Sequence, residues 1–322
     1  MMNLSKIVVI LTVFLSSLFI FTDQVWAWGV GVHIAQGDFV LNNLKLILPA
    51  IRELLQSYPV DFLYGCISAD IFIGKGSRRR DDHCHNWSIG KNMLSQARLP
   101  YEKAFAYGYL SHLSADTIAH NFYIPNQLYL TSTTRKFGHL YWEYRSDIFT
   151  EKRHWKLAVE VIGSHNPGDD EFISRTVPNR ILPFKTKKRI YTTTIHIYDL
   201  EKWQKTVNLF SQSSRWEVSR TYIDFLKKIS FYLTIDFLRN PETAICLNFD
   251  PVGSENIKEA KRRRRLVKKL NGKNPNDMGF EIPSEIMEVV EKMEGLNFSF
   301  GTVKTFMKTE RISMKTRQGS EE

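Results

Sequence analysis

Three side chains of metal-binding type recur at every fourth residue of one apolar segment, and this spacing constrains how the segment folds. The segment reads Gly108-Tyr-Leu-Ser-His112-Leu-Ser-Ala-Asp116-Thr-Ile-Ala-His120-Asn. A step of four residues along an α-helix rotates the side chain by only about 40° and advances it by about 6 Å. His112, Asp116 and His120 are therefore predicted to form one stripe on one helix, with Asp116 placed to bridge two ions.

The first half of the chain supplies further ligands of the same kind. His139 and Glu143 repeat the four-residue spacing, although that pair alone equally indicates an ordinary helix contact worth a few tenths of a kcal/mol. Two or three zinc ions with about four ligands each need roughly eight to twelve ligands, some of them shared or supplied by water. The candidates are Trp28, His33, Asp70, His83, His85, His112, Asp116, His120, His139 and Glu143. This composition predicts a multi-zinc site.

Residues 1–27 have the pattern of a secretory signal peptide. A lysine precedes an apolar run over residues 7–21, and a short polar stretch leads to Ala27. The run is shorter than the roughly 20 residues that span a bilayer, which favours cleavage over an uncleaved anchor. Cleavage after Ala27 would free the amine of Trp28, whose pKa near 8 allows it to bind a metal beside His33. We therefore expect an exported protein, secreted or periplasmic.

Composition divides the mature chain into a main domain at residues 28–250 and a basic extension at 251–322. The net charge is +10, and residues 254–273 hold nine Lys or Arg against two Glu. Such a run is usually a solvated helix face or a flexible segment. Attraction to anionic lipid or to nucleic-acid phosphate is the functional alternative. We expect the extension to be mostly helical and weakly ordered.

Hydrophobic periodicity predicts an all-α protein. One stretch rich in Thr and Ile, Ile190–Tyr198, is the best candidate for a strand, with a short loop or edge hairpin as the alternative. Breaks in the apolar pattern predict loops at Gly74–Asp82 and Pro125–Thr134. Apolar residues recur at helical spacing in residues 33–57, 101–121, 137–163 and 199–239.

The remaining cysteines and histidines carry weaker signals. Three cysteines are too few for a disulfide framework in an exported protein, although a bridge between Cys66 and Cys84 stays open. Cys84 stands between two histidines and is either a further ligand or a buried thiol. The histidines of the second half have no ligand partners nearby and are interpreted as structural; they are His154, His165 and His196.

Taken in order, the candidate ligands resemble those of the zinc-dependent phospholipase C family and of its relatives among the zinc-dependent single-strand nucleases. The order Trp, His, Asp, His, His-x3-Asp, His, His-x3-Glu is met in full between Trp28 and Glu143. Asp116 and His120 are separated by three residues, where the family usually has five. The loop ligand is His83 or His85, and His85-Asn-Trp87 resembles the family's His-x-aromatic arrangement.

The resemblance implies an all-α fold of the phospholipase C and single-strand nuclease type. It also implies roughly two to three zinc ions as cofactor. Asp70 would be a ligand near the second ion or a general base, which makes it the candidate catalytic residue. The implied groups are Trp28 and His33 for the first ion, His85 and His112 for the second, and His120, His139 and Glu143 for the third, with Asp116 bridging.

The function that the resemblance implies is a secreted phospholipase C, which cleaves a phospholipid to diacylglycerol and a phosphorylated head group by means of a metal-activated water. A nuclease would use the same metal site, and the basic run permits one. A noncatalytic metal-binding protein associated with membranes would keep the ligands without turnover. Phospholipid at a membrane surface is thus the expected partner and nucleic acid the alternative, and no obligate protein partner is evident.

Overall fold

The computed structural model describes residues 28–72, 83–130, 138–178, 182–199, 218–269, 279–296 and 298. Within these ranges the chain is built from helices and has no β-strand, which confirms the predicted all-α class. The α-helices, numbered in chain order, are α1 (Val30–Asn42), α2 (Pro49–Ser57), α3 (Pro59–Ser68), α4 (Trp87–Gln96), α5 (Pro100–Ile118), α6 (Ile124–Leu130), α7 (Gly138–Asp147), α8 (Lys152–Ser164), α9 (Pro167–Thr176), α10 (Phe184–Asp199), α11 (Arg220–Arg239), α12 (Ser254–Lys269) and α13 (Ser284–Glu294). Short 3₁₀ turns occupy Leu44–Leu46, Ala69–Ile71 and Ile245–Asn248, and a π-helical segment occupies Ala119–Tyr123.

Helix α5 is the central element of the fold. It begins with Pro100 in the first turn, and the carboxylate of Glu102 accepts the backbone N–H groups of Arg98 at 2.7 Å and Leu99 at 3.1 Å. These contacts satisfy amide groups that a helix start leaves without partners. Helices α3, α4 and α11 pack around it, so that nearly all of α5 after Lys103 is buried. Its polar side chains must therefore find partners inside the protein.

The helical path of α5 continues through the π-helical segment into α6, and this corrects the loop predicted at Pro125–Thr134. Pro125 lies in the first turn of α6 and has no N–H to donate to the carbonyl oxygen of Asn121. That oxygen instead accepts the side-chain amide of Asn256 at 3.2 Å. The chain is thus helical to Leu130, and residues 131–134 lie outside the described ranges. The loop predicted at Gly74–Asp82 lies outside them as well.

The strand predicted at Ile190–Tyr198 is wrong, because these residues belong to α10. Phe184, Lys187, Tyr191 and Ile195 are buried at helical spacing along this helix. The threonines that suggested a strand return their hydroxyls to backbone carbonyls one turn earlier: Thr193 to Arg189 and Thr194 to Ile190, at 2.8 and 3.0 Å. These bonds give the hydroxyls partners within the helix, and burial of the stripe outweighs the β-propensity of Thr and Ile.

Other predicted helical stretches are interrupted in the structure. Residues 33–57 contain α1 and α2 with a 3₁₀ turn between them, and residues 137–163 contain α7 and α8. In the basic extension, α12 packs against α6, and α13 packs against α11. The domain boundary near residue 250 stays a prediction. Across the described residues, the helices are too short or too polar to cross a bilayer.

Candidate metal centre

The centre is organised by a close crossing of α3 and α5. Gly65 of α3 lies against Gly108 of α5, and a Cβ on either glycine would collide with a backbone carbonyl of the other helix. The crossing brings the end of α3 beside the next turn of α5. There, Nδ1 of His112 lies 2.9 Å from the carbonyl oxygen of Cys66. Because a carbonyl oxygen only accepts hydrogen bonds, Nδ1 carries the proton and Nε2 is left to bind a metal.

Three possible metal-ligand atoms, one from α5 and one from each of two other segments, lie around Nε2 of His112. Nε2 of His85 lies 3.0 Å from it, and Oδ2 of Asp116 lies 3.2 Å from it. Nε2 of His85 is in turn 3.3 Å from both Asp116 Oδ2 and Asp70 Oδ1. The distance from Asp70 Oδ1 to His112 Nε2 is 3.9 Å. All four side chains are buried.

These separations match a tetrahedral zinc shell. Bonds of about 2.0–2.1 Å in tetrahedral geometry place neighbouring ligand atoms about 3.3 Å apart. Four of the five measured donor separations among Asp70, His85, His112 and Asp116 lie between 3.0 and 3.3 Å. The donor set, two imidazoles and two carboxylates, is one that zinc accepts. The residues present therefore fit the ion that the sequence predicts.

The second oxygen of Asp116 faces another imidazole. Oδ1 lies 3.2 Å from Nε2 of His33, which α1 brings against α5, and the rings of His33 and His112 stack with centroids 3.7 Å apart. On its other side, Nδ1 of His33 lies 3.4 Å from Oε1 of Gln36. The Gln36 amide is itself held by bonds to Ser111 O at 2.6 Å and Thr234 Oγ1 at 2.5 Å. Asp116 thus offers one oxygen to each of two neighbouring positions, as a bridging carboxylate does.

Of the two loop histidines, it is His85 that reaches the acidic side chains of the cluster. His83 accepts the backbone N–H of His85 on its Nδ1 at 3.1 Å. Cys84 is buried, and its sulfur lies 3.3 Å from Nδ1 of His85, the ring nitrogen opposite the one that faces Asp116. This geometry favours His85 as the ligand and leaves His83 and Cys84 beside it. Cys66, Cys84 and Cys246 are all free thiols, so the bridge left open between the first two is absent.

His120 lies at the start of the π-helical segment, with Nε2 3.7 Å from Oδ2 of Asp116. The predicted stripe of His112, Asp116 and His120 is therefore present. Its last residue, His120, lies in the π-helical segment and not in α5 itself. A turn near the start of α12 packs against this point: Gly253, with φ of +59°, lies so close to the carbonyl of His120 that a Cβ would collide with it. Glycine is required here both by the backbone conformation and by the contact.

Trp28 is buried at the entrance to α1. Its indole N–H donates to Ser230 Oγ at 3.0 Å, and its ring stacks on Tyr123 of the π-helical segment with centroids 5.4 Å apart. Tyr123 also donates its hydroxyl to the carbonyl of Trp142 in α7 at 2.7 Å. Trp28, the predicted first residue of the mature chain, thus packs against the segment that carries His120. Tyr123 of that segment in turn contacts α7, the helix of His139 and Glu143.

The side chains of His139 and Glu143 lie outside the described part of the structure. Their helix, α7, is described, and positions 139, 143 and 147 follow each other at four-residue spacing on one face of it. Asp147 is buried, and its carboxylate lies so close to Gly29 that a Cβ there would collide with it. Asp147, near the end of α7, therefore packs against the residue that follows Trp28.

The electrostatics of the cluster favour a cation. Burial by itself raises the pKa of Asp116, but the charges of His112 and His33 outweigh burial and hold that pKa well below its usual range. Burial likewise lowers the pKa of His112, and the carboxylates of Asp116 and Asp70 outweigh it and raise the pKa. Nε2 of His33 and both oxygens of Asp116 are buried, and their contacts with each other and with His112 at 3.2 Å lack hydrogen-bond geometry. Buried polar atoms left this way are costly unless an ion satisfies them.

The fold and the donor set together define an all-helical protein with a buried cluster of imidazoles and carboxylates that could hold a metal ion. Comparison with protein families then gives the more specific result: the model of the family described as zinc dependent phospholipase C matches residues 32–231. The match covers more than half of the chain, and the chain belongs to this family. Neither the curated proteins nor the solved structures give a significant match.

Sequence reasoning missed the residues that support the ligands. Gln36 orients His33, and the carbonyl of Cys66 orients His112, but neither role leaves a local signal because each depends on contact between helices. Asp147 continues the four-residue spacing of His139 and Glu143, and that spacing is a signal that would have found it. Of the histidines interpreted as structural, His154 pairs with Asp38, His165 pairs with Asp170, and His196 is exposed.

Proposed function

We propose that the protein is an exported phospholipase C that uses zinc to hydrolyse the phosphodiester of a phospholipid, giving diacylglycerol and a phosphorylated head group. The observation that carries the proposal is the near-tetrahedral set of donors on Asp70, His85, His112 and Asp116, in a chain of the zinc-dependent phospholipase C family. Membership of this family supports a hydrolase activity. The phospholipid substrate and the export of the protein are what we propose beyond it.

The residues divide into groups around Asp116. Oδ2 of Asp116 joins Asp70, His85 and His112 in one donor set, and Oδ1 joins His33 and, after signal peptide cleavage, the amine of Trp28. His120 with His139 and Glu143 completes the third group that the family resemblance implies. When bound, zinc polarises the phosphoryl oxygens and lowers the pKa of water towards neutrality. The protein's own contribution is to hold these donors in place, through Cys66 for His112 and Gln36 for His33.

Asp70 is the proposed acid–base residue. Its carboxylate is buried in the 3₁₀ turn after α3, with Oδ1 3.3 Å from Nε2 of His85. At that place, a carboxylate serves as a ligand and also as an acceptor for the proton of the attacking water. The turn that carries Asp70 follows α3 directly and is buried, which holds the short side chain beside His85.

Export is proposed from residues 1–27, which lie outside the described ranges. The packing of Trp28 supports a mature chain that begins there, because a buried indole fixes the new amino terminus five residues before His33. Sequencing the first residues of the protein recovered from the medium or periplasm tests this proposal. We expect Trp28 as the first residue, and a product that begins at Met1 would contradict it.

The substrate is tested with one purified sample and two diesters. We expect release of phosphocholine and diacylglycerol from phosphatidylcholine vesicles, and no digestion of single-stranded DNA. His112→Ala is expected to abolish the release, whereas His196→Ala, which changes an exposed histidine on α10, is expected to leave it unchanged. Digestion of DNA without lipid hydrolysis would assign the same site to a nuclease. Zinc binding without hydrolysis of either diester would identify a noncatalytic protein.

A further inference from the structure

Helix α12 presents a cationic face that the metal centre does not use. At 3.6 residues per turn its exposed positions fall within an arc of about 140°. After Glu255 in the first turn, the exposed residues of this arc are called here the basic face: Lys258, Lys261, Arg262, Arg265, Leu266 and Lys269. The opposite side of α12, with Ile257 and Ala260, is buried against α6 and the π-helical segment. The helix is therefore anchored on one side and open on the other.

Most of the charge on the basic face is not compensated by the residues that the structure describes. Glu259 pairs with Arg262 at 2.6 Å and with Arg263 at 2.9 Å. In the described part of the structure, Lys258, Lys261, Arg265 and Lys269 form no ion pair. Four unpaired cations on one side of one helix repel each other, and an anionic surface would relieve that repulsion.

The chemistry of the face fits lipid better than nucleic acid. Leu266 is 40% exposed at one edge of the basic face, which places an apolar side chain beside the cations, where it can enter the boundary between head groups and acyl chains. The basic face has no aromatic ring to stack on a base and no amide or hydroxyl side chain to read a base edge. A row of cations beside an exposed leucine fits a helix that lies on an anionic bilayer.

The amino-terminal end of α12 is fixed to the metal centre. Asn256 donates its side-chain amide to the carbonyl of Asn121, the residue after His120, at 3.2 Å. Gly253, just before the helix, packs against the carbonyl of His120 itself. The basic face begins at Lys258, less than two turns along the same helix. Because of this anchoring, a surface that binds the basic face is held at a fixed distance from the cluster.

We propose that the basic face of α12 docks the protein on an anionic phospholipid membrane and holds the metal centre next to the lipid. The role of this docking rests on the proposed phospholipase function, because docking would bring the enzyme to its substrate. Membrane binding itself can be measured without hydrolysis. Attraction between cations and an anionic bilayer weakens with salt, because it is screened over a Debye length.

Co-sedimentation with vesicles tests the docking. The wild-type protein is incubated on ice with vesicles of phosphatidylcholine alone or mixed with phosphatidylglycerol, at low and high salt. We expect binding to the mixed vesicles at low salt, and little binding at high salt or to phosphatidylcholine alone. The triple variant Lys261→Glu, Arg265→Glu, Lys269→Glu is expected to bind the mixed vesicles at least about tenfold more weakly. Leu266→Ser, which keeps the charge, is expected to weaken binding as well.

A matched control has the same change of charge elsewhere. Lys91→Glu, Lys103→Glu, Lys156→Glu alters exposed lysines of α4, α5 and α8 and is expected to bind within about twofold of the wild type. Circular dichroism and zinc content confirm that each variant is folded. Equal loss in both triple variants would overturn the proposal, because net charge rather than this face would then control binding. Tighter binding of single-stranded DNA, lost in the α12 variant alone, would assign the face to nucleic acid and also overturn it.

Diacylglycerol measured on the same vesicles after warming separates the two proposals. Binding through the basic face without diacylglycerol release supports docking and contradicts the phospholipase function. Diacylglycerol release that is unchanged in the α12 variant, together with unchanged sedimentation, contradicts docking and supports the phospholipase function.

Discussion

Nδ1 of His112 lies 2.9 Å from the backbone carbonyl oxygen of Cys66, and this contact links the packing of two helices to the metal centre. The carbonyl belongs to the last turns of α3, where a helix leaves carbonyl groups without intrahelical partners. His112 satisfies one of them and is fixed in return, with Nε2 directed at Asp116 3.2 Å away. The geometry of the cluster thus depends on how closely α3 and α5 approach.

Substitution of Gly108 tests that dependence. Gly108→Ala introduces a Cβ that collides with the carbonyl of Phe62, a backbone atom that cannot move without shifting α3. Overpacking of this kind costs about 1–3 kcal/mol in the free energy of unfolding. We expect that loss in chemical denaturation, together with weaker retention of zinc by the purified protein.

Gly163→Ala is the control for this prediction. Gly163 lies in α8, and a Cβ there meets nothing within 4 Å. Alanine is favoured over glycine in a helix by up to about 1 kcal/mol, so this variant is expected to be as stable as the wild type or slightly more stable. If Gly108→Ala behaved like Gly163→Ala, the close crossing would not be needed for the centre.

Gln36 is predicted to set the affinity of His33 for zinc. Its side-chain oxygen lies 3.4 Å from Nδ1 of His33, and its amide is held by Ser111 and Thr234. Removing such an orienting partner typically lowers metal affinity by about 10- to 100-fold. We expect Gln36→Leu to release part of its zinc at a lower concentration of competing chelator than the wild type.

Gln96→Leu, on the exposed side of α4, is the matched substitution for this measurement. It should leave the chelator titration unchanged. An identical titration for Gln36→Leu and Gln96→Leu would show that the contact between Gln36 and His33 does not position the ring.

A buried carboxyl pair predicts how stability depends on pH. Asp169 in the first turn of α9 is buried against Asp61 in the first turn of α3; burial, and then the neighbouring carboxylate, raise the pKa of Asp169 far above its usual range. A carboxyl whose pKa is raised on folding stabilises the folded state at low pH. That stability is lost as the pH rises from about 4 towards the raised pKa. We expect Asp169→Asn to match the wild type near pH 4 and to exceed it by about 1 kcal/mol or more near pH 8.

The carboxyl of Asp170, next to Asp169 in the sequence, should affect the pH dependence of stability in the opposite direction. Burial alone would raise the pKa of Asp170, but hydrogen bonds from His165, Lys188 and Tyr64 outweigh it and lower the pKa to about 2. This stability is present above about pH 4 and is lost as the pH falls towards 2. Asp170→Asn should therefore be less stable than the wild type at pH 7. Unfolding curves that shift in the same direction for both variants at neutral pH would contradict the assignment.

Local geometry explains which parts of the site could be predicted from the sequence. The stripe of His112, Asp116 and His120 depends only on the pitch of one helix, and it is found as predicted, with His120 at a π-helical turn. The helix across Pro125 could not be predicted, because the bond that replaces its missing amide comes from Asn256, far along the chain. Ile190–Tyr198 has strand-forming residues but is helical, because burial of one face outweighs their propensity.

The central claim is that this cluster of imidazoles and carboxylates holds zinc, and metal content measures it most directly. We expect mass spectrometry of the purified exported protein to find roughly two to three zinc ions per chain. Asp116→Asn, which removes the bridging carboxylate, should lose at least one ion, and Asp224→Asn, which alters an exposed carboxylate of α11, should lose none. A wild-type protein that carries no zinc, and takes up none when zinc is supplied, would contradict the account.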